Sequence, residues 1–398
     1  MDFCYFEPVI KLIKSTFYKD KESREILIKF IRKATWFGFG PECEKFERNF
    51  ASYQGRKDCV FVNSGSTANL ALIQALLNLG RLKKGDRVGF SALTWSTNVM
   101  PLIQLGLVPV AIDVELETLN ISSRKVTEAL RENTMKAIFI TNLLGFCDDI
   151  DVIKKMCADK KVLLLEDNCE SLGSVYKGKK LGNFGLASTF SFYASHHMCT
   201  IEGGAICTDD AELATALRIV RAHGWDRQLS KSDQGKIRRA HHVNDFYGSY
   251  TFYDLGNNFR PTEIQGVLGN QELRYLDKTT RIRSKNFGRF AKSLYKRTDA
   301  YVPIKFDHMD FVSNFAVPIV CRSKEIHREV IKKCAGILEI RPIVAGDITR
   351  QPFFAKYVSS GRTKNNSNAK LIHEQGLYFG NNPHLTEKEM KQIISIFS

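Results

Sequence analysis

Between residues 59 and 208 the chain repeats one pattern, a short run of apolar residues followed by a stretch with helical spacing. The runs are CVFV (59–62), DRVGF (86–90), LVPVAIDV (107–114), AIFITN (137–142), KVLLLEDN (161–168), STFSF (188–192) and GAICT (204–208). Their apolar residues are continuous and do not alternate with polar ones, as expected of strands buried on both faces. The pattern predicts an α/β fold: a mostly parallel sheet with helices on both sides.

The flanks read differently. Val9, Ile10 and Ile13, then Ile26, Leu27, Phe30 and Ile31, recur at helical intervals and stop at the glycine-rich WFGFGP (36–41), which predicts an N-terminal helical arm. Residues 227–245, RQLSKSDQGKIRRAHHVND, are polar and basic with no clear period, which predicts an exposed loop. After about residue 275 a helical segment leads into three strand-like runs, YVPIKF (301–306), NFAVPIV (314–320) and ILEIRPIV (337–344), and a final helix. These predict a small α+β lobe.

Composition narrows the setting. With 398 residues, 43% of them hydrophobic, the chain can bury a large core and support a second, smaller domain. No apolar run nears the roughly 20 residues that span a bilayer, and the start, MDFCYFEPVIKLIKSTF, carries acids and no small-residue cleavage site. A cytoplasmic protein, not associated with membrane, is expected. Ten cysteines without a C-x-x-C pair indicate neither a disulfide framework nor a compact zinc site, so no metal is expected and most thiols should be small buried groups. The net charge of +15 fits nucleic acid, an anionic membrane or an anionic small substrate, and does not choose among them.

Three segments carry chemistry. In NSGSTANLALIQAL (63–76) a strand runs into Gly65, Ser66 and Thr67 at a helix start, where backbone N–H groups and hydroxyls make a phosphate seat; an ordinary Ser or Thr cap is the plainer reading. In LLLEDN (163–168) an acidic pair ends an apolar strand, at the edge where open α/β sheets gather ligands. Asp167 there suits holding a pyridine nitrogen protonated, a metal ligand or helix cap being the alternatives. In STFSFYASHHMCTIEGG (188–204) a strand leads to a polar turn and a Gly-Gly. Its paired histidines read either as a partly exposed turn or as a catalytic group, and adjacent residues on a strand point to opposite faces, so at most one serves a site.

Taken in order, the phosphate loop, Trp95 in ALTWST, the strand-end Asp167, the Ser-Phe strand and the Gly-Gly resemble the sugar aminotransferases of the aspartate-aminotransferase fold, the DegT/DnrJ/EryC1/StrS family. The resemblance runs from WFGFGPECEKFE (36–47) through GNNFRPTEIQG (256–266) to EIRPIVAG (339–346). It implies a type I pyridoxal phosphate (PLP) enzyme with a mostly parallel seven-stranded sheet. The expected division is an arm (1–40), a large cofactor domain (41–275) and a small C-terminal α+β domain (276–398).

In that family the sixth residue counted from the serine of the Ser-Phe strand is the lysine that tethers PLP. Counting from Ser191 reaches His196; Lys179 and Lys180 precede the strand and no lysine follows until Lys231. A histidine cannot make that bond, so the cofactor is expected to be held non-covalently, as pyridoxamine phosphate (PMP). This departure marks the nucleotide-sugar 3-dehydratases, which LLLEDNCES, SHH, EGG, RAHGW and RPIV also resemble. The resemblance implies that His196 removes a proton from the cofactor's C4′ carbon as hydroxyl leaves C3 of a GDP-linked 4-keto-6-deoxy sugar, with ammonia released and L-glutamate restoring PMP. Imidazole suits that work because it titrates near neutral pH.

By the same matching, Gly65, Ser66 and Ser191 hold the phosphate, Trp95 stacks on the ring, Asp167 pairs with its nitrogen and Glu170 lies close. Asn258 reaches a cofactor phosphate across a homodimer with shared active sites. His223, Arg227, Arg260 and Arg341 bind the anionic substrate or glutamate, with Trp36 and Phe37 contacting the sugar nucleotide. The related dehydratase that uses an iron–sulfur cluster has a C-x-C pair after RAHGW. Residues 227–245 contain no cysteine, so neither a cluster nor a reductase partner is expected. Two other readings stand beside this one: a nucleotide-sugar 4-aminotransferase with an unusual base, and a non-catalytic regulator or nucleic-acid binder. The second lacks a helix-turn-helix or a single basic stripe, so no nucleic-acid partner is expected.

Overall fold

The computed structural model describes residues 10–358 and 366–398. In chain order its strands are β1 (Asp58–Val62), β2 (Arg87–Ser91), β3 (Val108–Ile112), β4 (Ala137–Thr141), β5 (Leu163–Asp167), a small hairpin of β6 (Val175–Tyr176) and β7 (Lys179–Lys180), then β8 (Ala187–Ser191), β9 (Gly204–Thr208), β10 (Ala316–Val320), β11 (Ile340–Pro342) and β12 (Gly376–Gly380). Seven form the main sheet in the order β1-β9-β8-β5-β4-β2-β3. Only β9 runs against its neighbours. All five residues of β4, β8 and β9 are buried, which explains why their sequences do not alternate.

One helix contact decides how the start of the chain is seated. Gly40 and Pro41 open the helix Pro41–Gln54, whose first-turn N–H groups at Glu42 and Cys43 donate to the buried Glu263 carboxylate at 3.0 and 2.9 Å. Glu263 begins the helix Glu263–Leu273, which lies so close that a Cβ on Gly266 would stand 2.6 Å from the Cys43 nitrogen. Backbone cannot yield as a flexible side chain can. Gly266→Ala is therefore expected to lose about 1–2 kcal/mol net in urea unfolding, despite the better helix propensity of alanine.

A second sheet, β10-β12-β11, is antiparallel and sits with the helices Lys324–Cys334, Ser367–Gln375 and Glu387–Phe397. Among the described residues no helix is long and apolar enough to cross a membrane. The nine described cysteines are all free, and eight are buried, as expected.

Three expectations are corrected. Val9 lies outside the described residues, and Ile10 is not helical: it bridges to Leu338, and the helix is Asp20–Lys33. The 227–245 stretch contains the helix Lys231–Ala240, capped by the Ser230 hydroxyl on Asp233 N–H and pinned by Arg238 to the fully buried Asp226 at 2.7 Å. Its apolar spacing is faint because charge pairing holds it. YVPIKF contributes a single bridge, Tyr301 to Cys321, and no strand. The central strand of the small sheet is instead β12, which starts at Gly376, the C-cap of the helix Ser367–Gln375, with no loop between them.

Candidate active site

Six of the seven strands of the main sheet point the same way, so their carboxyl ends share one edge. There the ends of β4, β5 and β8 and the segments after β1 and β2 meet Arg341 of β11, Tyr378 of β12 and Phe315 around a cleft of about 460 Å³. Gly65, Ser66, Trp95, Asp167, Glu170, Ser191, His196 and Arg341 all line it.

The phosphate seat is divided between capping and open groups. Ser64 caps the helix Gly65–Asn78 in a reciprocal box with Thr67, so the Thr67 hydroxyl, expected at the seat, is taken up by Ser64 and Asn63. Gly65 and Ser66 keep first-turn N–H groups that have no partner within the helix, and the Ser66 hydroxyl reaches Thr97 at 3.2 Å. A Cβ on Gly65 would stand 2.6 Å from that of Ser191. Glycine is what lets the helix start and the end of β8 close on one small volume, with the helix dipole favouring an anion there.

The acidic pair splits by strand alternation. Glu166 is fully buried and accepts from the N–H groups of Gly182, Phe184 and Gly185 at 2.8, 2.7 and 2.6 Å, fixing that loop. Asp167 turns to the cleft and accepts from the Asn69 and Asn98 amides at 2.9 and 3.3 Å and from Cys169 N–H at 3.1 Å. Asn69 is itself oriented by the Thr189 hydroxyl at 2.6 Å. Among the described residues no cation lies within ion-pair distance of Asp167, and no three His, Cys, Asp or Glu side chains are grouped to hold a metal ion. Its carboxylate is oriented by these donors and meets no counter-charge within this group.

His196 sits on the turn after β8, its N–H bonded to the Tyr193 carbonyl at 2.9 Å and its ring against Phe315, centroids 5.2 Å apart. Its Nδ1 is buried without a hydrogen-bond partner. Burial, opposed by the Ser191 backbone and assisted by the Arg283 charge, pulls its pKa down to about 4. The expectation of titration near neutrality is thus corrected: in the ligand-free chain the imidazole is a neutral proton acceptor. His197 points elsewhere, its Nε2 3.2 Å from the Ser313 carbonyl.

Glu170 is shifted the other way. Burial raises its carboxyl to about 8, with the Leu144 N–H at 3.0 Å opposing and the Asp167 charge assisting. It carries a proton at neutral pH. A carboxyl held above its unfolded value favours folding at low pH, and that contribution fades between its usual 4.5 and about 8. Glu170→Gln should therefore show a flatter loss of urea stability than the parent across that window.

The remaining expected residues lie outside this cleft. His223 and Arg260 contact each other at 3.3 Å, Arg260 reaches Asn258 at 3.0 Å, and Arg227 and Arg260 lie over the Trp225 ring at 4.0 and 5.5 Å. Trp36 and Phe37 are exposed ahead of the helix Pro41–Gln54. Sequence reading missed Asn69, Tyr193, Phe315 and Tyr378. Asn69 was within reach, four residues after Gly65 and so on the same helix face. Tyr378 lies on β12 and Phe315 just before β10, and no local pattern pointed either of them at the site.

The profile of the DegT/DnrJ/EryC1/StrS aminotransferase family matches residues 18–398. GDP-4-keto-6-deoxy-D-mannose 3-dehydratase of Yersinia pseudotuberculosis is 36% identical over 389 residues, 96% of this chain and 97% of its own. Among solved structures, a histidine mutant of GDP-4-keto-6-deoxymannose-3-dehydratase with bound GDP-perosamine superposes with a TM-score of 0.87 at 32% identity, covering 98% of this chain and all of the other. The same enzyme with a trapped PLP-glutamate geminal diamine gives 0.86 at 32% identity, again with 98% of this chain covered. The architecture is the aspartate-aminotransferase fold of type I PLP enzymes. On the span of the profile and the coverage of these relatives, the chain belongs to the DegT/DnrJ/EryC1/StrS aminotransferase family.

Proposed function

We propose that the chain is a PLP/PMP-dependent 3-dehydratase that removes the C3 oxygen of GDP-4-keto-6-deoxy-D-mannose, giving the GDP-4-keto-3,6-dideoxy sugar and ammonia, with L-glutamate restoring PMP. The observation that carries it is that a neutral imidazole, and among the described residues no lysine, lines a cleft that otherwise has the parts for PLP. The groups fit the cofactor: an anion seat at Gly65, Ser66 and Ser191, an uncancelled carboxylate at Asp167 and a half-exposed Trp95. When bound, the cofactor supplies an amine for the sugar ketone and a ring that takes up electrons as a proton leaves its C4′ carbon.

The chain's own residues do the rest. Asp167 would hold the ring nitrogen protonated, Trp95 would pack on the ring, and Gly65, Ser66 and Ser191 would hold the phosphate without a covalent tether. With the cofactor bound, the His196 imidazole would accept the proton from C4′ and return one to the departing C3 hydroxyl, so that no charge would accumulate on oxygen. Arg341 binds substrate or glutamate from within the cleft. The guanidiniums of Arg227 and Arg260, with His223 and Asn258 beside them, have no place in this chain's own cleft, which supports a homodimer in which each copy completes the other's site. The exposed Ile28, Ile31, Trp36 and Phe37 support the same pairing, with Trp36 and Phe37 meeting the sugar nucleotide. Free thiols throughout the described residues fit a reducing, cytoplasmic setting.

The division into arm, large cofactor domain and small domain is part of the proposal. The test is to incubate the protein with PLP, L-glutamate and GDP-4-keto-6-deoxy-D-mannose and follow the sugar nucleotide by mass spectrometry. Loss of one oxygen with release of ammonia is expected; a product that keeps oxygen at C3 and gains an amino group contradicts it.

A further inference from the structure

The helix Leu276–Leu294 buries a guanidinium behind the catalytic turn. Arg283 is 6% exposed, and among the described residues no carboxylate lies within ion-pair distance of it. Its Nη1 donates to the Asn381 carbonyl, its Nη2 to the His196 carbonyl at 3.4 Å, and its Nε has no partner. Carbonyl dipoles steady a guanidinium without cancelling its charge, and burying such a charge is costly.

Little water screens it. The cavity lined by Arg283, His196 and His197 measures about 30 Å³, room for about one water molecule. In a poorly solvated interior a single charge weighs heavily on its neighbours. The near carboxyl on that side, Glu272, is occupied by the Ser23 hydroxyl at 2.8 Å and Tyr18 N–H at 3.2 Å, and His384 closes the cavity. On the cleft side His196 shares its surroundings with Tyr193 of its own turn, Asp167, Cys169 and Glu170 after β5, and Glu202 before β9. Arg341 and Tyr378 reach in from β11 and β12.

We propose that Arg283 is a positioning residue for the proton transfer: it fixes the backbone of the turn that carries His196 and sets an uncancelled positive charge behind the imidazole. A proton taken up by the imidazole is then held loosely and handed on, as an elimination requires of a group that first accepts and then donates. This rests on the reading of His196 as the proton carrier. The direction agrees with both imidazoles being lowered, first by burial and then, for each, with help from Arg283.

The experiment is a histidine-selective NMR titration of the ligand-free chain, with His196→Asn assigning the signal, so it needs no turnover. In Arg283→Met, which removes the charge at similar volume, His196 should titrate about one pH unit or more higher, and the acid limb of kcat should move up with it. In Arg283→Lys, which keeps the charge and loses the fork, it should stay near the parent value. If Arg283→Met does not fold, Arg283→Gln makes the same comparison. A folded Arg283→Met or Arg283→Gln in which His196 titrates as in the parent overturns the inference, as does an Arg283→Lys that shifts as far. An active His196→Asn would instead overturn the reading of the site, and the two failures are thereby distinguished.

Discussion

His196→Asn should lower kcat for C3 deoxygenation by about 10²- to 10⁴-fold, the range ascribed to a general acid–base group, with KM changed by no more than a few-fold. Asparagine fills a similar volume and keeps polar atoms, so the turn and the seat should persist. What disappears is a proton acceptor, and among the described residues Glu202 is the one carboxylate of the cleft left to replace it, so Glu202→Gln on the same background should lower any residual rate further. Glu170 is protonated up to about pH 8, Tyr378 is raised to about 12 by burial and then the Glu170 charge, and burial raises the Cys169 thiol as well. Asp167 is engaged by the Asn69 and Asn98 amides and the Cys169 N–H. Steady-state kinetics at pH 7 on the purified variant, with circular dichroism to confirm folding, checks the outcome; a kcat within about threefold of the parent would remove His196 from the mechanism.

Asp167→Asn carries the second large effect, a fall of about 10²- to 10³-fold in kcat, as for loss of one preorganised electrostatic group. Both chemistry and geometry are lost. The carboxylate that should stabilise a protonated ring nitrogen becomes a neutral amide, and the Asn69 and Asn98 donors that orient it meet either a weaker acceptor or an opposing NH₂. Glu166→Gln, one residue away on the opposite face, should instead act on stability, because its carboxylate holds the Gly182–Gly185 loop. Comparing the two variants for kcat and urea midpoint separates a ligand-facing from a fold-holding carboxylate.

Much of this was legible in the residue order because parallel sheets leave a strong mark. Strands such as AIFIT and LLLED are buried on both faces and must read as unbroken apolar runs, and ligands gather at their carboxyl ends, where Asp167 and Ser191 were expected and lie. His196 was found by counting from Ser191, and the turn places it in the cleft. What stayed hidden depends on contacts far apart in sequence. The Lys231–Ala240 helix is held by Arg238 on Asp226 and shows no apolar face; Ile10 is extended because Leu338 offers it a partner. Tyr378 reaches the site from a sheet whose middle strand, β12, was not recognised, and Phe315 from just before β10. The drop in the His196 pKa could not be read either, since burial and the guanidinium of Arg283 arrive only with the tertiary structure.

The most direct check on an untethered cofactor facing an imidazole is a borohydride trap. Wild type and His196→Lys are each incubated with PLP, reduced and digested, and the peptide spanning residue 196 is weighed by mass spectrometry. The expected result is a reduced pyridoxyl phosphate adduct at position 196 in the variant and none on a cleft residue of the wild type. A variant that gains no adduct at 196, or a wild type that carries one in the cleft, would contradict the account.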